Sequence, residues 1–393
     1  MSDSRDAVVV GGGPAGSACA ILLRQAGWDV VLLDAARFPR DKVCGEGVSP
    51  EAWRLLAAIG ATQRVRALAP QPLRGMTLRA PDGTEVRGDY EGERLPGFAV
   101  RRARLDAALL ENARAAGVEV REATRATGVL REGGRAVGVA LEDGSRLPAR
   151  LLVGADGRQS LVARQLGLLR RPRYLRKFAV RGYWQYVAGL EARGEMHVAP
   201  GAYCGVAPLS ATEANVAFVL DRRSMPGAAG DLEGFYRRTL ERRWPHLAER
   251  LARARLLLPP RAIGPLAVEA RGVAAPGAVL VGDAAGFYDP FTGEGVTLAL
   301  RSAELAAETA TEWLAGRGDL RRYARQRDEA TRDKFRFNRL LQHLIHWPEL
   351  ADLAAHRLAR RKKLADRLVG IAGDFVPARS ALSLGFVWEL LRA

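Results

Sequence analysis

The sequence predicts an α/β fold that carries an inserted antiparallel β-sheet and ends in a helical C-terminal region. Three observations lead to this prediction. Apolar residues follow a strand–helix–strand order over the first 33 positions, aromatic and β-branched residues alternate between residues 173 and 220, and the chain beyond residue 320 has helical spacing. With 393 residues, of which 48% are hydrophobic, the chain is long enough to form two domains.

The first element is an apolar strand at residues 7–10, followed by a helix at residues 15–26 and a second strand at residues 30–33. This order makes a βαβ unit. An irregular stretch containing Gly and Pro follows. The dipeptide Ser49-Pro50 then has the residue types of an N-cap and a first helical position, so it predicts a helix that ends near residue 59.

In the middle of the chain, turn residues separate shorter elements. The dipeptide Asp82-Gly83, placed between the apolar residues 76–78 and Val86, predicts a β-hairpin. Apolar residues at helical spacing predict a helix at residues 102–116, and Gly117 ends it. Three short strands between residues 118 and 152, separated by Gly-containing turns, predict a meander.

The alternating region from residue 173 to residue 220 predicts a separate antiparallel sheet, followed by two helices at residues 232–240 and 245–252. An apolar strand at residues 278–281 returns to the first domain. A long helix follows Gly295 and ends near residue 314, the basic region is helical to residue 367, and a last apolar segment covers residues 381–391. The predicted domain ranges are 1–75, 100–165 and 270–330 for the α/β domain, 76–99 and 166–269 for the inserted sheet domain, and 331–393 for the C-terminal region.

A G-x-G-x-x-G motif lies between the first strand and the first helix, which is typical of a Rossmann-type dinucleotide site. Its glycines permit a tight turn, approach to a pyrophosphate and close packing of helix and strand, and the helix N-terminus offers free N–H groups to the phosphates. Asp34 ends the second strand, where a carboxylate accepts a hydrogen bond from a ribose hydroxyl. An ordinary glycine-rich loop is the alternative. The predicted contacts are Gly11, Gly13, Pro14, Ala15, Gly16, Asp34, Ala35 and Arg37.

Two later segments bear on which dinucleotide binds. Residues 151–164 read LLVGADGRQSLVAR, and residues 279–296 read VLVGDAAGFYDPFTGEGV. With the first motif, in this order, they resemble the FAD-binding superfamily of the aromatic-ring hydroxylases, which are group A flavin monooxygenases, and the geranylgeranyl reductases. The resemblance implies a glutathione-reductase-like FAD domain, with Asp283 on the flavin ribityl chain and Asp156 and Gly157 near the pyrophosphate. It also implies flavin contacts from Gly282, Pro290, Gly293, Gly295 and Val296.

The last part of that segment also has a physical reason to lie at a flavin. Residues 290–295 form a Gly-containing turn that opens a helix, so backbone N–H groups can face the pyrimidine ring. A positive helix end there stabilises the negative charge of a reduced flavin. Glu294 is either part of this site or an ordinary residue of the first helical turn.

A closer resemblance comes from residues 38–50, FPRDKVCGEGVSP. The stretch is similar to the K-x-C-G-x-G-x-x-P motif of the geranylgeranyl reductase family, which implies that Cys44 and Gly45 lie close to the isoalloxazine. Cys44 is therefore a candidate for lining the substrate side of the flavin, and a small buried residue without such a role is the alternative. Arg102 matches a family arginine beside the cofactor, and its neighbours Arg101 and Arg104 compete for that role.

The resemblance breaks down in the inserted sheet. Geranylgeranyl reductases carry a Y-x-W-x-F-P stretch where this chain has Tyr203-Cys204-Gly205-Val206-Ala207-Pro208. Tyr203 is retained as a candidate substrate-pocket residue, whereas Gly205 and Ala207 replace two rings that would each bury about 150 to 250 Å². The departure counts against a polyprenyl substrate. The W-x-W-x-I-P stretch of flavin-dependent halogenases does not occur.

Composition argues against several other kinds of partner and site. The net charge of +16 and pI of about 10.6 would suit nucleic acid, but the chain is rich in arginine throughout and contains five lysines, so no nucleic-acid partner is predicted. Three cysteines without metal-ligand or disulfide spacing, and five scattered histidines, predict no metal site and a reducing cytoplasm. Neither a signal peptide nor an apolar stretch of about 20 residues is recognised.

The basic C-terminal helices leave two alternatives. Their charges can form a solvated face, or they can hold the protein at an anionic membrane surface if they share a face with the leucines between them. The sequence makes no prediction of the oligomeric state. The charged residues concerned are Arg357, Arg360, Arg361, Lys362, Lys363 and Arg367.

These observations predict an FAD-dependent oxidoreductase that acts on a hydrophobic organic substrate. NAD(P)H is the expected electron donor. Because no second complete G-x-G-x-x-G occurs, it would bind transiently, or another donor would serve. The reduced flavin would either hydroxylate or epoxidise the substrate with O₂, which is the favoured reading, or reduce a C=C bond. A third alternative is a basic membrane- or nucleic-acid-binding flavoprotein without turnover.

Overall fold

The computed structural model describes residues 4–90, 95–170, 177–228, 230–381 and 383–391. Within these ranges the strands are β1 (Arg5–Val10), β2 (Val30–Leu33), β3 (Gly47–Val48), β4 (Gln71–Leu73), β5 (Gly75–Arg79), β6 (Glu85–Asp89), β7 (Gly97–Ala99), β8 (Glu119–Arg121), β9 (Ala126–Glu132), β10 (Arg135–Leu141), β11 (Arg146–Gly154), β12 (Leu169–Arg170), β13 (Lys177–Gln185), β14 (Gly194–Ala199), β15 (Ala202–Pro208), β16 (Glu213–Asp221), β17 (Arg255–Leu256), β18 (Arg261–Ile263), β19 (Glu269–Ala270), β20 (Ala274–Ala275) and β21 (Ala278–Leu280). The helices over the same ranges are α1 (Pro14–Gln25), α2 (Ala52–Ala58), α3 (Thr62–Arg66), α4 (Arg102–Ala115), α5 (Leu161–Gln165), α6 (Leu232–Arg243), α7 (Pro245–Leu251), α8 (Gly295–Leu314), α9 (Arg321–His346), α10 (Pro348–Ala359), α11 (Lys362–Ala372) and α12 (Leu384–Leu391).

The first sheet confirms the predicted α/β fold. Its strands run in the order β8-β2-β1-β11-β21-β20, and all neighbours except β20 are parallel. Every residue of β2 is buried, as expected for a parallel sheet that helices cover on both faces. Val10 pairs with Gly154, and Gly154 pairs with Leu280. The carboxyl ends of β1, β11 and β21 therefore lie side by side.

The predicted three-stranded meander is confirmed as β9, β10 and β11, which are divided by the two predicted turns. β9 and β10 form a hairpin that continues antiparallel onto β11, but β8 pairs in parallel with β2 at the edge of the sheet. β8 is an additional strand, and its partner β2 lies outside the meander. The predicted helix start at Ser49-Pro50 is also displaced, since α2 begins at Ala52 after a turn.

The second sheet is the predicted insertion. Its order is β17-β13-β16-β15-β14-β5-β6, with β18 also pairing with β13. One face packs against α6 and α7 through a cluster that includes Phe218, Tyr236 and Trp244. The opposite face carries polar residues such as Arg181 and Asn215, which bond to the segment between β2 and β3. The insertion is thereby joined to the first domain.

Two short sheets complete the strand pairing. β7 pairs with both β3 and β4, although residues 76–99 were assigned to the inserted domain from the sequence. β12 pairs with β19. The predicted domain ranges also include positions outside the described residues, and the predicted alternating region begins among them at residue 173. These positions are residues 1–3, 91–94, 171–176, 229, 382 and 392–393.

The C-terminal region consists of separate helices and not of one continuous helix. Trp347-Pro348 separates α9 from α10, and Arg361 lies between α10 and α11. Leu358 and Ile371 belong to a small apolar core that also contains Val86 of β6. No helix in the described part of the chain is both long and apolar enough to cross a lipid bilayer.

Candidate functional site

The three motifs meet at the carboxyl ends of β1, β11 and β21. Gly11 has a φ of +109°, and a Cβ there would lie 2.4 Å from the carbonyl oxygen of Ala155. A Cβ on Gly16 would lie 1.8 Å from the Gly11 oxygen, and one on Gly282 would lie 2.8 Å from the Ala15 Cβ. Each of these contacts excludes a larger residue. Segments far apart in sequence therefore form one continuous backbone surface.

Asp34 holds the first loop in shape. Its Oδ2 accepts a hydrogen bond of 2.7 Å from the Gly12 N–H, and its Oδ1 accepts one of 2.8 Å from Ala36. The carboxylate therefore braces the G-x-G-x-x-G turn, and the ribose hydrogen bond expected for Asp34 stays a prediction. Ala35 and Arg37, which were assigned to the same site, are exposed on the loop that follows.

Arg40 is a residue at this loop that the sequence analysis did not single out. Its Nη1 lies 3.3 Å from the Asp106 carboxylate, and its Nη2 lies 3.5 Å from the position that a Cβ on Gly13 would occupy. The guanidinium is thus held across the start of α1. A cation beside free helix N–H groups would bind a pyrophosphate more strongly than the helix alone.

The backbone around the motifs fits a flavin dinucleotide. α1 starts with Pro14 after Gly13, so its first turn keeps N–H groups free for phosphate oxygens. At Gly45, Gly157 and Gly293 no heavy atom lies within 4 Å of the Cβ position, so a flat ligand can approach the chain there. The 20-residue helix α8 begins at Gly295, two residues after Gly293, with Pro290 in the preceding turn and Val296 buried in its first turn.

The two aspartates of the later motifs have different surroundings. Asp283 lies 3.3 Å from the Nζ of Lys42, which belongs to the segment between β2 and β3. The carboxyl of Asp156 instead accepts hydrogen bonds from Ser160 and from the Leu161 N–H, and so caps α5. Burial raises the pKa of Asp156. Asp283 is therefore the better placed of the two to meet a ligand.

The segment around Cys44 connects all parts of the site. The carbonyl of Cys44 accepts a hydrogen bond of 2.7 Å from Asn215 on the inserted sheet. Ser49 Oγ and Thr297 Oγ1 are 2.5 Å apart, which ties the end of the segment to the first turn of α8. The half-buried thiol of Cys44 is thereby held between the sheet and the nucleotide-binding domain.

Of the three neighbouring arginines at positions 101, 102 and 104, Arg102 is the one whose side chain lies at this site. It is buried, forms two hydrogen bonds of 2.8 and 2.9 Å to Asp106, and lies 3.6 Å from the Cys44 sulfur. Burial alone would lower its pKa, but the charge of Asp106 and the hydrogen bonds to Asp106 and Cys44 raise it well above the ordinary value. Arg101 bonds to Glu213 and Arg104 is exposed. A permanent positive charge thus stands behind Cys44.

Glu46 is a second residue that the sequence analysis did not single out. It is buried, has a φ of +66°, and accepts hydrogen bonds from the Arg102 N–H and the Tyr183 hydroxyl. Burial raises the pKa of Glu46 to about 7, although the Tyr183 bond and the Arg102 charge oppose this rise. A carboxyl that changes protonation near neutral pH is suited to proton transfer. Its only signal in the sequence is its place in the C-G-E-G run.

Tyr203 joins the inserted sheet to the loop before α8. Its hydroxyl donates a 2.6 Å hydrogen bond to Asp289, whose other oxygen lies 3.7 Å from Lys177. Its ring meets Phe291 edge to face at 5.0 Å. The predicted pocket residue is thus buried here, and it holds the loop that precedes α8.

Glu294 occupies the N-cap position of α8 and forms a buried ion pair. Lys334 of α9 lies 2.7 Å from Glu294, 2.8 Å from Asp374 and 2.6 Å from the Ile371 carbonyl. Burial raises the pKa of Glu294 to about 8 against the lowering effect of Lys334. The C-terminal helices therefore fix the turn that opens α8. Among the described residues, no group of three His, Cys, Asp or Glu side chains is placed to hold a metal ion.

Comparison with known proteins agrees with this geometry. A model of the FAD binding domain matches residues 4–337. The menaquinone reductase of Mycobacterium tuberculosis (strain CDC 1551 / Oshkosh) is 34% identical over 325 residues, which are 78% of this chain and 77% of the relative. The digeranylgeranylglycerophospholipid reductase of Methanosarcina mazei is 31% identical over 336 residues, 81% of this chain and 78% of the relative.

Among solved structures, the myxobacterial chondrochloren halogenase superposes with a TM-score of 0.79 at 29% identity, covering 86% of this chain and 82% of the halogenase. The family model spans both predicted domains and the first part of α9. The chain therefore belongs to the FAD binding domain family, within the superfamily of group A flavin monooxygenases and geranylgeranyl reductases, and is an FAD-dependent oxidoreductase.

Proposed function

We propose that this protein reduces a carbon–carbon double bond of a hydrophobic, isoprenoid-type substrate. The observation that carries the proposal is Glu46, a buried carboxyl with a pKa of about 7 beside Cys44 in the segment that resembles the geranylgeranyl reductase motif. Two relatives, named for reducing menaquinone and digeranylgeranylglycerophospholipid, support the substrate class. This proposal differs from the monooxygenase that the sequence favours. The reason is that the burial and raised pKa of Glu46 are visible only in the folded structure.

Reduction of a double bond needs a hydride for one carbon and a proton for the other. Bound flavin supplies the hydride, and the residues of this chain must supply and direct the proton. Glu46 can hold that proton at neutral pH, since burial disfavours its charged form. The Tyr183 hydroxyl connects the carboxyl to the inserted sheet, while Arg102 keeps a positive charge at the Cys44 sulfur.

An apolar wall suits a hydrophobic substrate. Met196 and Val198 of the inserted sheet cluster with Phe291 of the flavin loop and Ile345 of α9, and all four are buried. Such a wall excludes water from the reacting region, which limits loss of the hydride to solvent. Tyr203 adds the hydrogen bond that holds the loop against the sheet.

The monooxygenase remains the second candidate because of Gly205. A Cβ at this half-exposed position would lie 3.7 Å from Met196 Cε, so the sheet surface has room where the reductases carry a large ring. Ala207 is buried against Leu73 and Ala99. In that reaction one oxygen atom of O₂ enters the substrate and the other leaves as water, with two electrons from the donor.

NAD(P)H is the donor we propose for either reaction. A cavity of about 390 Å³ adjoins the Cys44 segment, and Lys42 and Arg261 contribute positive charges to its wall. Phosphate groups of a transiently bound nucleotide suit such charges. The other lining residues are Asp41, Val43, Leu232, Pro260, Ala262 and Ile263.

Product mass separates the candidates. The flavin-loaded enzyme is incubated with NADH or NADPH and a geranylgeranyl lipid or polyprenyl quinone, with and without O₂. Two added hydrogens under anaerobic conditions, lost in Glu46→Gln, are the expected result. An added oxygen that requires O₂ would overturn the reductase proposal in favour of the monooxygenase. Binding to lipid or nucleic acid without any NAD(P)H oxidation would leave the third alternative, a flavoprotein without turnover.

A further inference from the structure

Several large apolar side chains are exposed on C-terminal helices that pack against one another. Of the eight large hydrophobic residues that the described part of the chain leaves exposed, five lie between residues 340 and 388. Trp347 is 60% exposed and Trp388 is 55% exposed. Leaving two tryptophans in water is costly for a soluble surface, and grouped exposure marks an interaction site. We call this surface the docking face; it consists of Leu340, Trp347, Leu350, Leu353 and Trp388.

The helix α10 shows how the docking face is built. Its buried side, which includes Ala355 and Leu358, packs on the small core with β6. Leu350 and Leu353 lie three residues apart, so they occupy neighbouring positions on its outer surface, directly after Trp347 at the N-cap. An ordinary surface helix would carry polar residues there. Trp388 lies on α12, which packs against α10.

Positive charge accompanies these side chains. Arg339, Arg360 and Lys363 are exposed and take part in no ion pair within the described residues. They lie near the end of α9, directly after α10 and in the first turn of α11. Only two acidic residues of α10 and α12 are exposed among the described residues, against these three cations. They are Glu349 and Glu389. Tryptophan and leucine beside unpaired cations is the composition of a surface that binds anionic lipid.

The docking face also adjoins the proposed reaction site. α9 exposes Leu340 on one side and buries Ile345 in the apolar wall with Phe291 and Met196 on the other. The Ile345 carbonyl also accepts a hydrogen bond from Gly201, in the turn between β14 and β15. The end of α9 is thus shared by the outer surface and the wall of the site.

We infer that the docking face binds peripherally to an anionic phospholipid membrane. Trp347 and the leucines would enter the headgroup boundary, and the basic residues would contact lipid phosphates. A hydrophobic substrate dissolved in that membrane would then have a short path along α9 to the apolar wall. This path rests on the proposed function, whereas binding to lipid does not, so the two can be tested separately.

The test is sedimentation of the flavin-loaded, full-length protein with vesicles. Vesicles of phosphatidylcholine with phosphatidylglycerol should bind the wild type, phosphatidylcholine alone should bind it less, and added salt should weaken binding. The double variant Trp347→Ser/Leu350→Ser should bind about tenfold or more weakly, because it removes two side chains that enter the membrane. The matched control is Tyr186→Ser/Leu258→Ser, which removes exposed apolar side chains elsewhere and should bind as the wild type does.

A second variant tests the charges without altering the apolar side chains. Arg360→Gln/Lys363→Gln should bind phosphatidylglycerol vesicles several-fold more weakly, and flavin absorbance should show that both variants remain folded. Equal vesicle binding by the wild type and the Trp347 variant would overturn the inference. So would a wild-type dimer in sedimentation velocity that the Trp347 variant dissociates, since a second copy of the chain would then cover the face.

Discussion

Substitution of Glu46 by glutamine tests the buried carboxyl directly. The two side chains have nearly the same shape, so Glu46→Gln can retain an acceptor for the Arg102 N–H and a partner for the Tyr183 hydroxyl. It removes only the ability to carry charge. The pKa of Glu46 rises from an ordinary value of 4.5 to about 7 in the fold because the carboxyl is buried. The variant should therefore differ from the wild type mainly at a pH where the wild-type carboxyl is ionised.

The magnitude follows from the pKa difference. A tenfold change in a protonation equilibrium is worth about 1.4 kcal/mol, so the rise corresponds to about 3 kcal/mol. Between pH 4.5 and about 7 the folded wild type binds more protons at Glu46 than the unfolded chain does. Its free energy of unfolding therefore falls as the pH rises through this range. Glu46→Gln avoids this loss and should be the more stable protein above pH 7, by up to about 3 kcal/mol.

Urea denaturation of the flavin-saturated proteins, at about pH 5 and about pH 8, measures the difference between them. Other titrating groups are common to both proteins and cancel in the comparison. The same substitution should lower turnover by about 10²- to 10⁴-fold if Glu46 supplies the proton. A stability difference that is the same at both pH values would show that Glu46 is ionised throughout, and the proton-transfer role would be refuted.

Three further substitutions have expected outcomes. Gly11→Ala should yield protein without bound flavin, as measured by absorbance, because a Cβ overlaps neighbouring backbone; Gly272→Ala, where a Cβ has room, is the control. Lys334→Met should lower the free energy of unfolding in urea by about 3–5 kcal/mol, since Glu294 and Asp374 lose their cation, and adding Glu294→Gln should recover part of it. Burial, and next the charge of the neighbouring His197, lower the pKa of His246 from 6.5 to about 4. The wild type should therefore lose stability as the pH falls through this range. In thermal melts, His246→Gln should lose less stability over the same range.

The glycine-containing turns of the candidate site were largely predictable because their conformational requirements are local. Gly11 needs a positive φ and Gly16 needs to lack a Cβ, so a short run of glycines between a strand and a helix identifies the turn. The same holds for Gly282 and Gly293. Strand and helix periods then placed the elements around them, including α8 from Gly295 to Leu314.

The partners of the charged residues were not predictable. Lys334 looked like one of many basic residues in a C-terminal helix, yet it is buried between two carboxylates from separate segments. Glu46 occupied an unassigned position of the C-G-E-G run, and Arg40 looked like a loop residue. The pairing of β8 with β2, and of β7 with β3 and β4, likewise depends on contacts between distant segments.

By itself, the sequence determined where three glycine-containing turns lie in the fold, because backbone conformation at a turn depends on the residues within it. The tertiary structure alone decided the protonation of Glu46, the burial of Lys334 and the exposure of Trp347, Leu350 and Trp388. These properties depend on desolvation and on neighbours that are distant in sequence, and both arise only when the chain is packed.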